Sequence, residues 1–89
     1  MTFTVLLHPK AAKELKKTEK SVQDRIIKSA RSLSEKPASA GKPLSQSGFW
    51  SIRIGDYRAI YQIDQDKKQV IILFIGHRSK VYDDFSKML

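Results

Sequence analysis

Eighty-nine residues, 40% of them hydrophobic and 29% charged, make one small domain spanning 1–89 with a modest core, and 17 Lys and Arg against nine Asp and Glu leave a net charge of +8. That charge points to polyanionic partners, whereas the lack of cysteine excludes disulfides and thiolate chemistry, and two histidines without an acidic cluster imply no metal and no small-molecule cofactor. No apolar run approaches the roughly 20 residues of a membrane span and the N-terminus lacks the layout of a signal peptide, so no membrane partner and a cytoplasmic location are expected.

Thr2 to Leu7 is β-branched and apolar and predicts a first strand. His8-Pro9 ends it, because proline suits the first turn of a helix and not a strand interior. From Pro9 to about Thr18, Ala12 and Leu15 form a narrow apolar stripe with Lys10, Lys13, Lys16 and Lys17 elsewhere on the surface, predicting a short basic helix. Ser21-Val22-Gln23-Asp24 resembles a capping box with the shorter acid, so a second helix is expected from Ser21. Val22, Ile26, Ala30 and Leu33 recur at helical spacing and carry it to about Glu35. The two helices form an antiparallel hairpin able to cover one face of a sheet. Lys36 to Pro43 reads as a loop, and Leu44 to Gly48 leads out of it.

Phe49 to Ile63 alternates apolar and polar residues and breaks once, at Gly55-Asp56, which predicts a β-hairpin with a two-residue loop. The loop sets the register: Ile54 opposite Tyr57, Arg53 opposite Arg58, Ile52 opposite Ala59, Trp50 opposite Tyr61. One face then carries Trp50, Ile52, Ile54, Tyr57, Ala59, Tyr61 and Ile63, a core face. The other carries Ser51, Arg53, Arg58 and Ile60. Two arginines directly across from one another repel, so either an anion sits over them or they splay into water.

Asp64 to Lys68 is a polar turn, and Val70 to Ile75 is apolar without alternation, as in a strand buried on both sides. Gly76-His77-Arg78 closes that strand. In the tail from Ser79, the residues Tyr82, Phe85 and Leu89 lie at near-helical spacing and predict a short terminal helix or ordered tail. The fold class is therefore α+β, in the order β-α-α-β-β-β, with the helical hairpin on one face of a small, largely antiparallel sheet and the opposite face free to bind.

Trp50-Ser51-Ile52-Arg53-Ile54-Gly55-Asp56-Tyr57-Arg58-Ala59-Ile60-Tyr61, followed by Gly76-His77-Arg78 and Val81-Tyr82, resembles the RelE/ParE superfamily of toxin–antitoxin toxins, and the resemblance runs from end to end of the chain. RelE-like members are mRNA interferases acting in the ribosomal A site, and ParE-like members poison DNA gyrase. The resemblance implies a cognate antitoxin, with ribosome and mRNA as partners of the RelE-like reading. It assigns Arg58, Arg78 and Tyr82 to the active site and matches Arg53 to a basic position on the second strand. Two proton carriers of related toxins are missing: Ser51 stands where some have lysine, and Leu44-Ser45 follows Lys42-Pro43 where others have glutamate.

Metal-free RNA cleavage uses the 2′-hydroxyl as nucleophile, so the protein must manage two protons and stabilise a dianionic phosphorane. Arginine suits the last task, because its planar fork donates two hydrogen bonds to phosphate and stays charged. Arg58 and Arg78 are the candidates, with Arg53 assisting. His77 is the chemical choice for proton transfer, since histidine titrates nearest neutrality, unless strand alternation turns it away. Tyr82 can donate a hydrogen bond or stack on a base. Lys10, Lys13, Lys16 and Lys17 are candidate RNA contacts, or else a solvated face. A translation-inhibiting endonuclease is the favoured activity; gyrase inhibition and antitoxin binding without toxicity are the alternatives.

Overall fold

The computed structural model describes residues 2–44 and 48–87. Its elements are β1 (Thr4–Leu7), α1 (Pro9–Lys16), α2 (Lys20–Glu35), α3 (Pro37–Ala40), β2 (Lys42–Leu44), β3 (Phe49–Ile54), β4 (Tyr57–Asp64), β5 (Gln69–His77) and α4 (Val81–Ser86). The five strands form one sheet in the order β1-β5-β4-β3-β2, with β1 parallel to β5 and every other pair antiparallel. The expected α+β architecture is present with one strand more than expected.

The β3–β4 hairpin has the register that the Gly-Asp loop implies, including Arg53 opposite Arg58 and Trp50 opposite Tyr61. Gly55 has φ of +60°, and a glycine with positive φ opening a two-residue loop matches the right-handed twist of the strands it joins. The predicted core face is the one the helices cover. Ile52, Ile54, Ala59 and Tyr61 pack there with Ala11 of α1, Ile26 and Leu33 of α2, and Val70, Ile72 and Ile75 of β5. His8, capping α1, accepts the Lys10 backbone N–H on Nδ1 at 3.2 Å, and Pro9 follows where its missing N–H costs nothing.

Several boundaries differ from expectation. The second helix starts at Lys20, with Glu19 as its cap and no side-chain capping bond, so the Ser21 capping box does not form: extended backbone, which a cap requires, occurs two residues earlier. Lys36 to Pro43 is not a plain loop. Pro37 opens the single-turn α3, and Lys42–Leu44 pairs with Phe49–Ser51 as an edge strand, where a proline is tolerated. The Tyr61 hydroxyl donates to the Pro37 carbonyl at 2.7 Å and ties this segment to the sheet. Burial pushes the Tyr61 phenol from its ordinary 10.0 up to about 12, opposed in part by a hydrogen bond with the Gly41 backbone. Ser45, and Leu89 in the predicted tail helix, lie outside the described residues.

The largest correction concerns the second sheet face, which is not wholly free. The register of β4 and β5 slips between Ile60 and Tyr61, making Leu73 an extra residue that leaves both Leu73 and Phe74 on this side. With Ile60 they receive Val81 and Phe85 of α4, and the Phe85 ring meets Phe49 edge-on at 5.2 Å. Gly76 permits the approach of α4, since a Cβ there would stand 3.3 Å from Val81 Cγ2. Thus α4 covers one end of the face and leaves the arginine end open. No helix among the described residues is long and apolar enough to cross a membrane.

Candidate functional site

Strand alternation places Ser51 and Arg58 on the face away from α1 and α2, and α4 brings Tyr82 over them. The Arg58 guanidinium carbon lies 5.8 Å from the centroid of the Tyr82 ring, within cation–π range. The hydroxyls of Tyr82 and Ser51 are 3.3 Å apart, a long contact in which either can donate. Tyr82 is 41% exposed and Ser51 only 4%, so the ring stands in solvent on a buried polar footing. Ser51, noted in the sequence only as an absent lysine, is the residue that sequence reasoning missed: a contact across 31 positions depends on where α4 lands.

Arg53, opposite Arg58 in the hairpin register, and Arg78 stand at the tip of the hairpin. Arg53 Nε–H donates to the Gly55 carbonyl at 3.3 Å. The backbone N–H of Arg78 donates to the Asp56 carbonyl at 2.8 Å, so strand pairing continues just past β5 and sets Arg78 against the loop. Among the described residues none of these arginines is in an ion pair, and the single salt bridge is Lys17 to Glu14, at 3.8 Å. Guanidinium groups have planar forks that suit phosphate oxygens.

His77 is not brought to this site. It is paired with Tyr57, whose ring it meets edge-on at 5.7 Å on the helix-covered side, and its Nδ1 lies 2.8 Å from the Ser79 hydroxyl. One step along the strand from Gly76, which faces Arg58, turns the imidazole through the sheet. Lys10, Lys13 and Lys16 are exposed on α1, as is Lys17 at its C-cap. Lys10 lines a cleft of about 350 Å³ with Glu14, Phe74, Asp84 and Lys87. Neither Arg58 nor Tyr82 borders it. Among the described residues no cluster of His, Asp and Glu could hold a metal ion.

A family model described as the ParE toxin of the type II toxin–antitoxin system parDE matches residues 5–82. The chain belongs to the RelE/ParE superfamily of toxins. Toxin RelG of Mycobacterium tuberculosis is 34% identical over 85 residues, which are 92% of this chain and 98% of RelG. A chain of the toxin–antitoxin complex RelBE2 from the same organism superposes with a TM-score of 0.81 at 33% identity, over 88% of this chain and 100% of that one. A chain of the archaeal RelE–RelB complex from Pyrococcus horikoshii gives 0.79 at 26% identity, over 91% and 100%. This RelE/ParE protein is a toxin of a type II toxin–antitoxin system, close to the RelE and RelG toxins. Arg58, Tyr82 and Ser51 meet at the open end of the second sheet face.

Proposed function

We propose that this toxin is a ribosome-dependent mRNA endonuclease that inhibits translation, cutting the message through its own 2′-hydroxyl without a metal. The observation that carries the reading is the Arg58 guanidinium 5.8 Å from the Tyr82 ring, both on the open end of the sheet. Arg58 donates its paired N–H groups to the oxygens of the reacting phosphate and holds the charge that grows on the phosphorane. Arg78, across the hairpin loop, adds a second cation. Tyr82, steadied by Ser51, stacks on a base or donates its phenolic proton to the departing 5′-oxygen as the P–O5′ bond breaks. The arginines and Tyr82 act here as hydrogen-bond donors, and His77 faces the other way. The proton of the 2′-hydroxyl therefore passes to solvent or to a group of the ribosome, in keeping with dependence on the ribosome. The lysines of α1 add salt-dependent affinity for RNA.

Its partner is a cognate antitoxin. Relatives from M. tuberculosis and P. horikoshii were solved as toxin–antitoxin complexes, and a net charge of +8 suits an acidic, partly disordered segment that docks a helix or adds a strand to a sheet edge. Primer extension on a defined mRNA, with and without programmed ribosomes, tests the activity. New 5′ ends at A-site codons are expected only with ribosomes and only without the substitution Arg58→Ala. A second reading, gyrase inhibition, is favoured by the ParE description of the matching family model and is supported if excess protein blocks supercoiling while the message stays intact. Expression without growth arrest would instead indicate a homologue that only binds antitoxin.

A further inference from the structure

A fourth arginine reaches the hairpin tip from the opposite side of the sheet. Arg25 lies on α2, which packs on the helix-covered face, and its Nη1 stands 2.7 Å from where a Cβ would sit on Gly55. A Cβ at Gly55 would push this guanidinium aside. Arg53 comes to the same residue from the other face, through its hydrogen bond to the Gly55 carbonyl. Arg25 has no carboxylate within ion-pair distance among the described residues, and Asp56 is the one acid on the loop. Two cations thus converge on one exposed turn whose single acid, Asp56, is in an ion pair with neither among the described residues, and the excess positive charge attracts an anion.

The surroundings select the kind of anion. Of the four exposed large hydrophobic residues among those described, three are not at this turn: Leu6 and Leu7 lie on β1 at the far edge of the sheet, and Ile27 is about 200° around α2 from Arg25; the fourth, Tyr82, offers a ring on which a base can stack. A protein interface wants an apolar centre, whereas phosphate contacts are made by exposed arginine alone. We propose that Arg25, meeting Arg53 at Gly55 from the opposite face of the sheet, binds a backbone phosphate of RNA beside the Arg58–Tyr82 pair and adds affinity without entering the chemistry. This rests on the endonuclease reading and adds Arg25 to the residues that hold the strand.

The test is single-turnover cleavage of a defined message on programmed ribosomes across a range of toxin concentrations. It compares wild type, Arg25→Ala, Arg25→Lys and, as a charge control on the same helix, Arg31→Ala, each checked by circular dichroism for folding. Arg25→Ala is expected to raise the half-saturating concentration about 3- to 10-fold and to leave the maximal rate within about twofold, as for a lost phosphate contact. Arg25→Lys restores most of the loss, since a point charge still binds phosphate, and Arg31→Ala stays close to wild type. A message with an uncharged methylphosphonate beside the cleaved codon locates the phosphate: the Arg25→Ala penalty disappears if the phosphate belongs to the message and persists if it belongs to ribosomal RNA. If wild type cleaves and Arg25→Ala behaves as Arg31→Ala, or if its maximal rate falls while half-saturation does not move, the proposal is overturned. An Arg25→Ala protein that cleaves normally but is bound less tightly by an acidic antitoxin peptide also overturns it, giving the turn to the antitoxin. Wild type that does not cleave removes the endonuclease reading itself.

Discussion

On the helix side of β3 and β4, Ile52, Ile54, Ala59 and Tyr61 are buried against α1, α2 and β5; one residue along each strand, on the other side, Arg53 faces Arg58 with no ion pair to either among the described residues. The same backbone presents both sets, because successive side chains leave a strand in opposite directions. The helix side spends its residues on stability. The arginine side accepts a repulsive pair that packing does not need, and such a local conflict is what a binding site looks like in an otherwise consistent fold. Between them stands α4, which turns half of the second face into a small core and thereby places Tyr82 at the border.

Substitutions on the two faces should separate cleanly. Leu33→Ala, at a 1% exposed position under the sheet, is expected to cost about 2–5 kcal/mol in denaturant unfolding, lowering activity only by depleting folded protein. Arg58→Ala should do the reverse: cleavage on programmed ribosomes falls about 100- to 1,000-fold while the unfolding midpoint is held or rises slightly. Equal loss of stability in both variants would erase the distinction.

A smaller effect tests the link between Tyr61 and Pro37. The phenol titrates at about 12 in the folded protein against 10.0 ordinarily, so the folded state keeps its proton where the unfolded state has lost it. Stability is therefore full below pH 10 and declines as pH rises towards 12. Tyr61→Phe should flatten that decline, measured by urea unfolding at several alkaline pH values, while lowering stability at neutral pH through the lost 2.7 Å hydrogen bond. Smallest of all, Arg53→Gln relieves the repulsion across the hairpin and should stabilise the protein by about 0.2–1 kcal/mol at low ionic strength, an effect that fades as salt shortens the Debye length. A destabilised Arg53→Gln would mean that its bond to Gly55 outweighs the repulsion.

Local chemistry sufficed wherever neighbours in sequence decide the outcome. A Gly-Asp loop between two period-2 runs admits one register, so the facing arginines and the core face of the hairpin were legible residue by residue. His8-Pro9 marked the strand-to-helix change, and the apolar spacing from Val22 to Leu33 marked α2. What the chain order hid was settled by contacts between distant segments. The strand β2 exists because Lys42–Leu44 finds the free edge of β3, not because three residues with a proline favour extended backbone. The extra residue at Leu73 and the docking of α4 depend on filling the space over Ile60. Ser51 meets Tyr82, and Arg25 meets Gly55, only once a helix and a sheet have been packed together. The sequence by itself thus determined which side chains the hairpin points to each face; the tertiary structure decided which of them share a site, because that juxtaposition is made by elements far apart along the chain.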